Sequence, residues 1–464
     1  MCKDFTMTIR RRCIAALAVL VPLAFASVLS AGPLTPPAGP VASTPGPEPR
    51  TAINATNTPG DTDSIFKITL PGSYYLTGNI TGTLGKHAIE IEASGVTIDL
   101  NGFDLVGTPG MGNFNGVCTT ALQLTNITVR NGSVRNFGGR GVDLSTSPVT
   151  GALIENIRAS GNLVGGLSVG VYSIVRNCTA VNNTGNGIST GVGCTVSSCT
   201  ASVNTANGIS VNSSTVVSNC SARSNGSNGI SGLDGVVVTD CTASFNTGNG
   251  IIAFFGCTFT NCVALNNSSN GISVGIGSKV SNSSAYNNTT NGFQATSGVV
   301  ISHCTAYDNG TNGISATSGS VIFACSARAN GAIGIVCADG STISSCTAAL
   351  NILSGIVATS DCQFLNNTCD NNGNGGDGAG IFVTGADNRL EGNTCTDNDR
   401  GIDIDGTGNI VIRNTCSGNI TNWDIAANNA VAPIFVTTNN AAAITGNTYT
   451  GSLGNTDPNA NFTF

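Results

Sequence analysis

Between residues 369 and 406 the chain gathers carboxylates that are scarce over residues 156–360. "CDNNGNGGDGAGI" and "TDNDRGIDIDG" place Asp370, Asp377, Asp397, Asp399, Arg400, Asp403 and Asp405 within a short span. Paired carboxylates beside a cation are what acid–base cleavage of a glycosidic or uronate bond requires, so Asp397, Asp399, Arg400, Asp403 and Asp405 are the candidate catalytic set. In "GIDID" strict alternation turns Ile402 and Ile404 inward and Asp403 and Asp405 toward solvent. Asp370, Asn372, Asn374 and Asp377 are a second candidate. Asp-x-Asn-x-Asn-Gly opens like a calcium loop, but Ile381 stands where the closing Glu belongs. No cofactor is expected, apart from calcium if these residues form that loop. Solvated turn acids remain the plain alternative to both readings.

A third set lies outside this span. Arg223, Tyr286, Tyr307 and Arg328 occupy equivalent places in a repeat. Exposed Tyr beside Arg suits contact with a sugar or an acidic glycan; an ordinary solvated face is the alternative. A polysaccharide or cell-surface glycan is the partner these residues would fit.

These residues must be held by something, and that something is repetitive. Asn-Gly-Ile or a near variant falls at 186–188, 207–209, 228–230, 249–251, 270–272, 291–293 and 312–314. The period is 21 residues. Asn183, Asn204, Asn225, Asn246 and Asn267 keep it, as do Ala180, Ala201, Ala222, Ala243 and Ala264. Cys178, Cys199, Cys220, Cys241, Cys262, Cys304, Cys325 and Cys346 form a further column, with Ser283 at its gap. The apolar pieces are short and alternating, which is a strand signal. Each is too short to stand alone and must pair with its copy one period on, about 4.8 Å away. Pro, which removes a ladder donor, is absent from 149 through 432. The expected architecture is all-β: a single-stranded parallel β-helix with coils of about 21 residues.

The pattern "NGI…V…NC.A..N" resembles the right-handed parallel β-helix repeats of the pectin-lyase-like superfamily, over roughly residues 76–420. The resemblance implies right-handed coils. It leaves function open, because that superfamily holds lyases, hydrolases, epimerases, tailspikes and adhesins. The Asp-Asp, Gly-His-Gly and Arg-x-Lys motifs of its galacturonan hydrolases are missing.

Composition narrows the classes. Charged residues are 9% of the 464, and net charge is −7 with 18 Lys+Arg. No basic stripe exists, so a nucleic-acid partner is not expected. Arg10, Arg11 and Arg12 precede an apolar run, which reads as a signal peptide over 1–31. A Pro-rich spacer follows at 32–50, then an N-terminal cap with the first coils at 51–135, the regular helix at 136–420 and a C-terminal cap at 421–464. The expected product is secreted, extracellular or periplasmic, with no membrane span once the leader is removed. Two of the 18 cysteines lie in the leader; the rest are read as small buried fillers beside Ala.

The expectation is thus a surface, adhesion or carbohydrate-binding module without catalysis. The alternative is a divergent polysaccharide lyase or glycoside hydrolase working in the C-terminal coils.

Overall fold

The computed structural model describes residues 49–145, 149–437, 443, 445, 446 and 455–464. The signal-peptide reading and all but the last two residues of the spacer fall outside them. Among the described residues no helix is long and apolar enough to cross a membrane.

The described residues wind into about 18 turns of parallel β-solenoid. A representative coil shows why. Ile251–Ala253, Thr258–Thr260 and Val263–Leu265 are its three strands. Ile251, Phe259 and Ala264 point inward and are buried, so alternation places one face of each strand in the core. Register then follows the period: Ile188 pairs with Ile209, Ile209 with Ile230, Ile230 with Ile251 and Ile251 with Ile272. The Ile, Ala and Cys columns become stacks inside the tube.

Bends need a left-handed residue, and the chain supplies it immediately before each inward polar side chain. Asp240 (φ 53°) precedes Cys241, and Phe245 (φ 56°) precedes Asn246. Even Val203 and Leu350 adopt positive φ at these places, a conformation costly for β-branched or bulky residues. The compensation is hydrogen bonding. Asn246 Nδ2 donates to Ala222 O at 3.2 Å and to Asn267 Oδ1 at 2.9 Å, and its backbone N–H also reaches Asn267 Oδ1 at 3.1 Å. Gly250 behaves differently from a bend glycine. A Cβ there would meet Gly271 O at 2.6 Å and Asn267 Nδ2 at 2.7 Å, so close approach of neighbouring coils demands it.

The reading of the cysteines as fillers needs correction. All sixteen from Cys118 to Cys416 are free and buried, yet in the 178–346 column they are not inert filler. Cys241 Sγ accepts the Cys220 N–H at 3.4 Å and donates to Thr239 O at 3.1 Å. Ser283 does the same work, accepting the Cys262 N–H at 3.1 Å and donating to Ser281 O at 2.8 Å. Asn367, Asn393 and Asn414 then take over this column as a second Asn ladder. Cys369, Cys395 and Cys416 sit instead in the Ala column, paired in register within a strand. The two positions are not interchangeable: the bend needs a donor and an acceptor, the strand a small apolar group.

Regularity fails at both ends. Ile89 pairs with Val117, Val117 with Val142 and Val142 with Leu167, spacings set by longer turns. Near the other end Ile356 pairs with Ile381, because residues 373–378 enlarge one turn. The ladder also runs on past residue 420: Ile402 pairs with Trp423 and Val411 with Val431.

Candidate functional site

Tyr286 and Tyr307 are the last residues of strands Ser284–Tyr286 and Thr305–Tyr307. Direct register pairing puts them on adjacent rungs, with Arg328 on the next. Their rings stack at 5.3 Å with 16° between planes, and the Arg328 guanidinium lies 5.9 Å from the Tyr307 centroid. Tyr286 is 39% and Tyr307 36% exposed, so the stack presents aromatic surface to solvent. Arg223 is not part of this group. Three rungs, about 14 Å, separate it from Tyr286, and its guanidinium lies 4.9 Å from the Phe245 centroid instead. Phe245, and the edge-to-face pair of His303 and Phe323 at 5.4 Å, extend the aromatic character of this wall. They occupy other columns of the repeat, and inspection of one column alone does not reveal them.

The C-terminal acids are dispersed in role. Arg400 Nη2 lies 2.5 Å from Asp377, Nη1 2.6 Å from Asp403, and Nε 3.4 Å from Asp424. Asp403 departs from the expectation that it faces solvent: it is buried under this ion-pair network, while Asp405 is exposed. Burial pushes the Asp403 carboxyl above its ordinary pKa, against the lowering by Arg400. Asp399 is structural. Its carboxylate accepts the N–H groups of Gly375, Gly376 and Gly378 at 3.2, 3.0 and 3.3 Å, which ties down the enlarged turn. Asp397 and Asp405 are exposed beyond opposite ends of strand Arg400–Ile404. A strand of that length spans about 16 Å, more than the roughly 5–9.5 Å between the carboxyl groups of glycosidase pairs.

The calcium-loop spacing is likewise taken apart by the fold. Asn372 is buried in the ladder, donating to Ala348 O and Asn398 Oδ1 at 2.9 Å each. Asp370 accepts the Thr396 hydroxyl at 2.6 Å. Asn374 and Asp377 are exposed on the enlarged turn. These four side chains do not converge.

The first coils bring together what sequence inspection passed over. On one outer face Lys67, Glu90, Cys118 and Asp143 stack on successive rungs. Glu90, Cys118 and Asp143 are each 2% exposed or less. Asp143 accepts from Arg140 Nη1 at 2.8 Å and from the Ser145 hydroxyl at 2.7 Å. His87 Nδ1 accepts the Asn115 N–H at 2.8 Å, its ring lies edge-on to Phe114 at 5.0 Å, and burial holds its pKa low. Burial pushes the Cys118 thiol up, so it is no thiolate nucleophile. The available signal was charge density: acids and bases recur over 61–143, as they do near the other end, while the regular coils between have few. Beyond Asp143 the same column becomes Ser168, Ser189, Ser210 and Ser231, a neutral hydroxyl stripe.

A family model described as "Right handed beta helix region" matches residues 231–369. No curated protein sequence matches the chain. Among solved structures, the mannuronan C-5 epimerase AlgE6 A-module of Azotobacter vinelandii is 13% identical, covering 70% of this chain and 90% of its own, with a TM-score of 0.37. A tailspike protein of E. coli bacteriophage HK620, in complex with a pentasaccharide, is 12% identical over 69% of this chain and 72% of its own, TM-score 0.37. Pectate lyase Pel9A is 16% identical over 55% and 68%, TM-score 0.30. With the matched segment continued in the same register on both sides, the described residues form a right-handed parallel β-solenoid.

Proposed function

We propose that this chain is a secreted, non-catalytic β-helix that binds polysaccharide or cell-surface glycan along its outer wall. The observation that carries the reading is the exposed stack of Tyr286 on Tyr307 with Arg328 beside it. The exposed edges and hydroxyls of the stacked rings suit packing and hydrogen bonding to a sugar, and a guanidinium pairs with a carboxylate or sulfate in bidentate fashion. The rigid ladder holds these groups in place before a ligand arrives, which lowers the ordering cost of binding. Arg223 with Phe245 supplies a further aromatic–cation unit along the same axis.

Affinity electrophoresis through pectin, alginate and a sulfated glycan tests this. Wild-type protein is retarded by at least one of the three, and Tyr286→Ala with Tyr307→Ala migrates as in plain gel. Equal retardation of the double variant rejects the site. The same incubations, read for reducing ends and unsaturated product, test the absence of catalysis.

One observation favours a second reading, a divergent lyase or hydrolase: the buried Asp403 carboxyl and the acids Asp377 and Asp424 gather on one guanidinium, Arg400, an acid–cation grouping of the kind acid–base cleavage uses. Turnover that disappears in Asp403→Asn would establish it in place of the first.

A further inference from the structure

The leading coils hold three carboxylates in an arrangement that the glycan reading does not use. Asp61 and Asp63 precede strand Ser64–Ile68, and Glu90 lies in strand His87–Ile91. One oxygen from each lies within 4.8 Å of the others. Hydrogen bonding accounts for part of the cluster. Asp61 Oδ1 accepts the N–H groups of Asp63 and Ser64 and the Ser64 hydroxyl. Lys67 Nζ lies 2.6 Å from Asp61 Oδ2 and 2.7 Å from Glu92 Oε1. Lys86 donates to the Asp61 carbonyl, and Glu90 Oε1 accepts the Thr120 hydroxyl.

Glu90 Oε2 is the exception. The side chain is 3% exposed, yet this oxygen accepts no hydrogen bond, and its nearest cation is Lys67 at 3.5 Å. A buried carboxylate oxygen left this way is costly. Four carboxylates (Asp61, Asp63, Glu90, Glu92) face two ammonium groups (Lys67, Lys86), a net charge of −2.

We propose that Asp61, Asp63 and Glu90 bind one divalent cation of the calcium class. An all-oxygen, carboxylate-rich donor set with one open side suits a hard ion that keeps some water. Asp63 is exposed and leaves that side open. A hollow of about 330 Å³ lined by Gly60, Asp61, Ser64 and Lys86 gives access beside Asp61. The ion supplies the charge that Glu90 Oε2 and Asp63 lack, and Lys67 remains paired with Glu92. Because its ligands come from the leading segment and from the next coil, the ion pins the first turn of the solenoid to the second.

Equilibrium dialysis of the full chain against calcium tests the proposal, together with thermal melts with and without chelator. Wild type binds one ion per chain at this site, and chelation lowers its melting temperature. Asp63→Asn weakens binding at least tenfold and abolishes the chelator effect. Asp63 is an exposed side chain, so its replacement leaves the fold intact, which circular dichroism verifies. Asp377→Asn, on the distant enlarged turn, changes neither readout. The proposal is overturned if wild type binds no calcium, or if Asp63→Asn binds and melts as wild type does.

Discussion

Asn246 Oδ1 accepts two hydrogen bonds from Asn225, one from its backbone N–H at 3.0 Å and one from its Nδ2 at 2.9 Å. Each ladder Asn repeats this, so removing one side chain strands donors on the rung before it. Asn246→Ala should destabilise by on the order of 3 kcal/mol, the cost of orphaning buried polar groups. Urea melts measure it. A loss as small as that of an exposed Asn→Ala would show that water repairs the gap.

Replacements of Cys241 separate hydrogen bonding from space filling. Cys241→Ser should be tolerated, because Ser283 already serves in this column. Cys241→Val keeps the apolar volume but leaves the Cys220 N–H without its acceptor, at a cost of about 1–3 kcal/mol. If the Val variant melts higher than the Ser variant, the column is filler after all.

Asp399→Ala should free the enlarged turn without unwinding the coils. Three glycine N–H groups lose their acceptor, so hydrogen exchange at 375–378 should accelerate while the Asn ladder stays protected. Unchanged exchange there would remove Asp399 from this role.

Asp403 gives a pH signature. Its folded pKa stands above the ordinary 3.8, so the folded state holds the proton more tightly than the unfolded chain does. That stabilisation is complete below 3.8 and is lost as pH rises through the raised value. Relative to Asp403→Asn, wild type should therefore lose stability as pH climbs from below 3.8 through that window. A flat difference between the two urea midpoints would contradict the burial of Asp403.

The sequence by itself determined the coil. A 21-residue period, alternating apolar positions and columns of Asn, Ala and Cys suffice, because identical units stacked in register have one way to bury their apolar faces and satisfy their backbones. It also determined that Tyr286, Tyr307 and Arg328 are neighbours, since equal spacing makes column mates rung mates. What only the tertiary structure decided lies where the spacing is unequal or where columns meet. Asp403 obeys alternation yet is buried, because Arg400 of its own strand folds onto it and is held there by Asp377 of the enlarged turn and Asp424 of the next coil's strand. Arg223 turns to Phe245 in a different column. Lys67, Glu90, Cys118 and Asp143 share no period, since the long turns between them set the register. Turn length is a property of the folded path, so side chains from irregular coils meet only once that path is known.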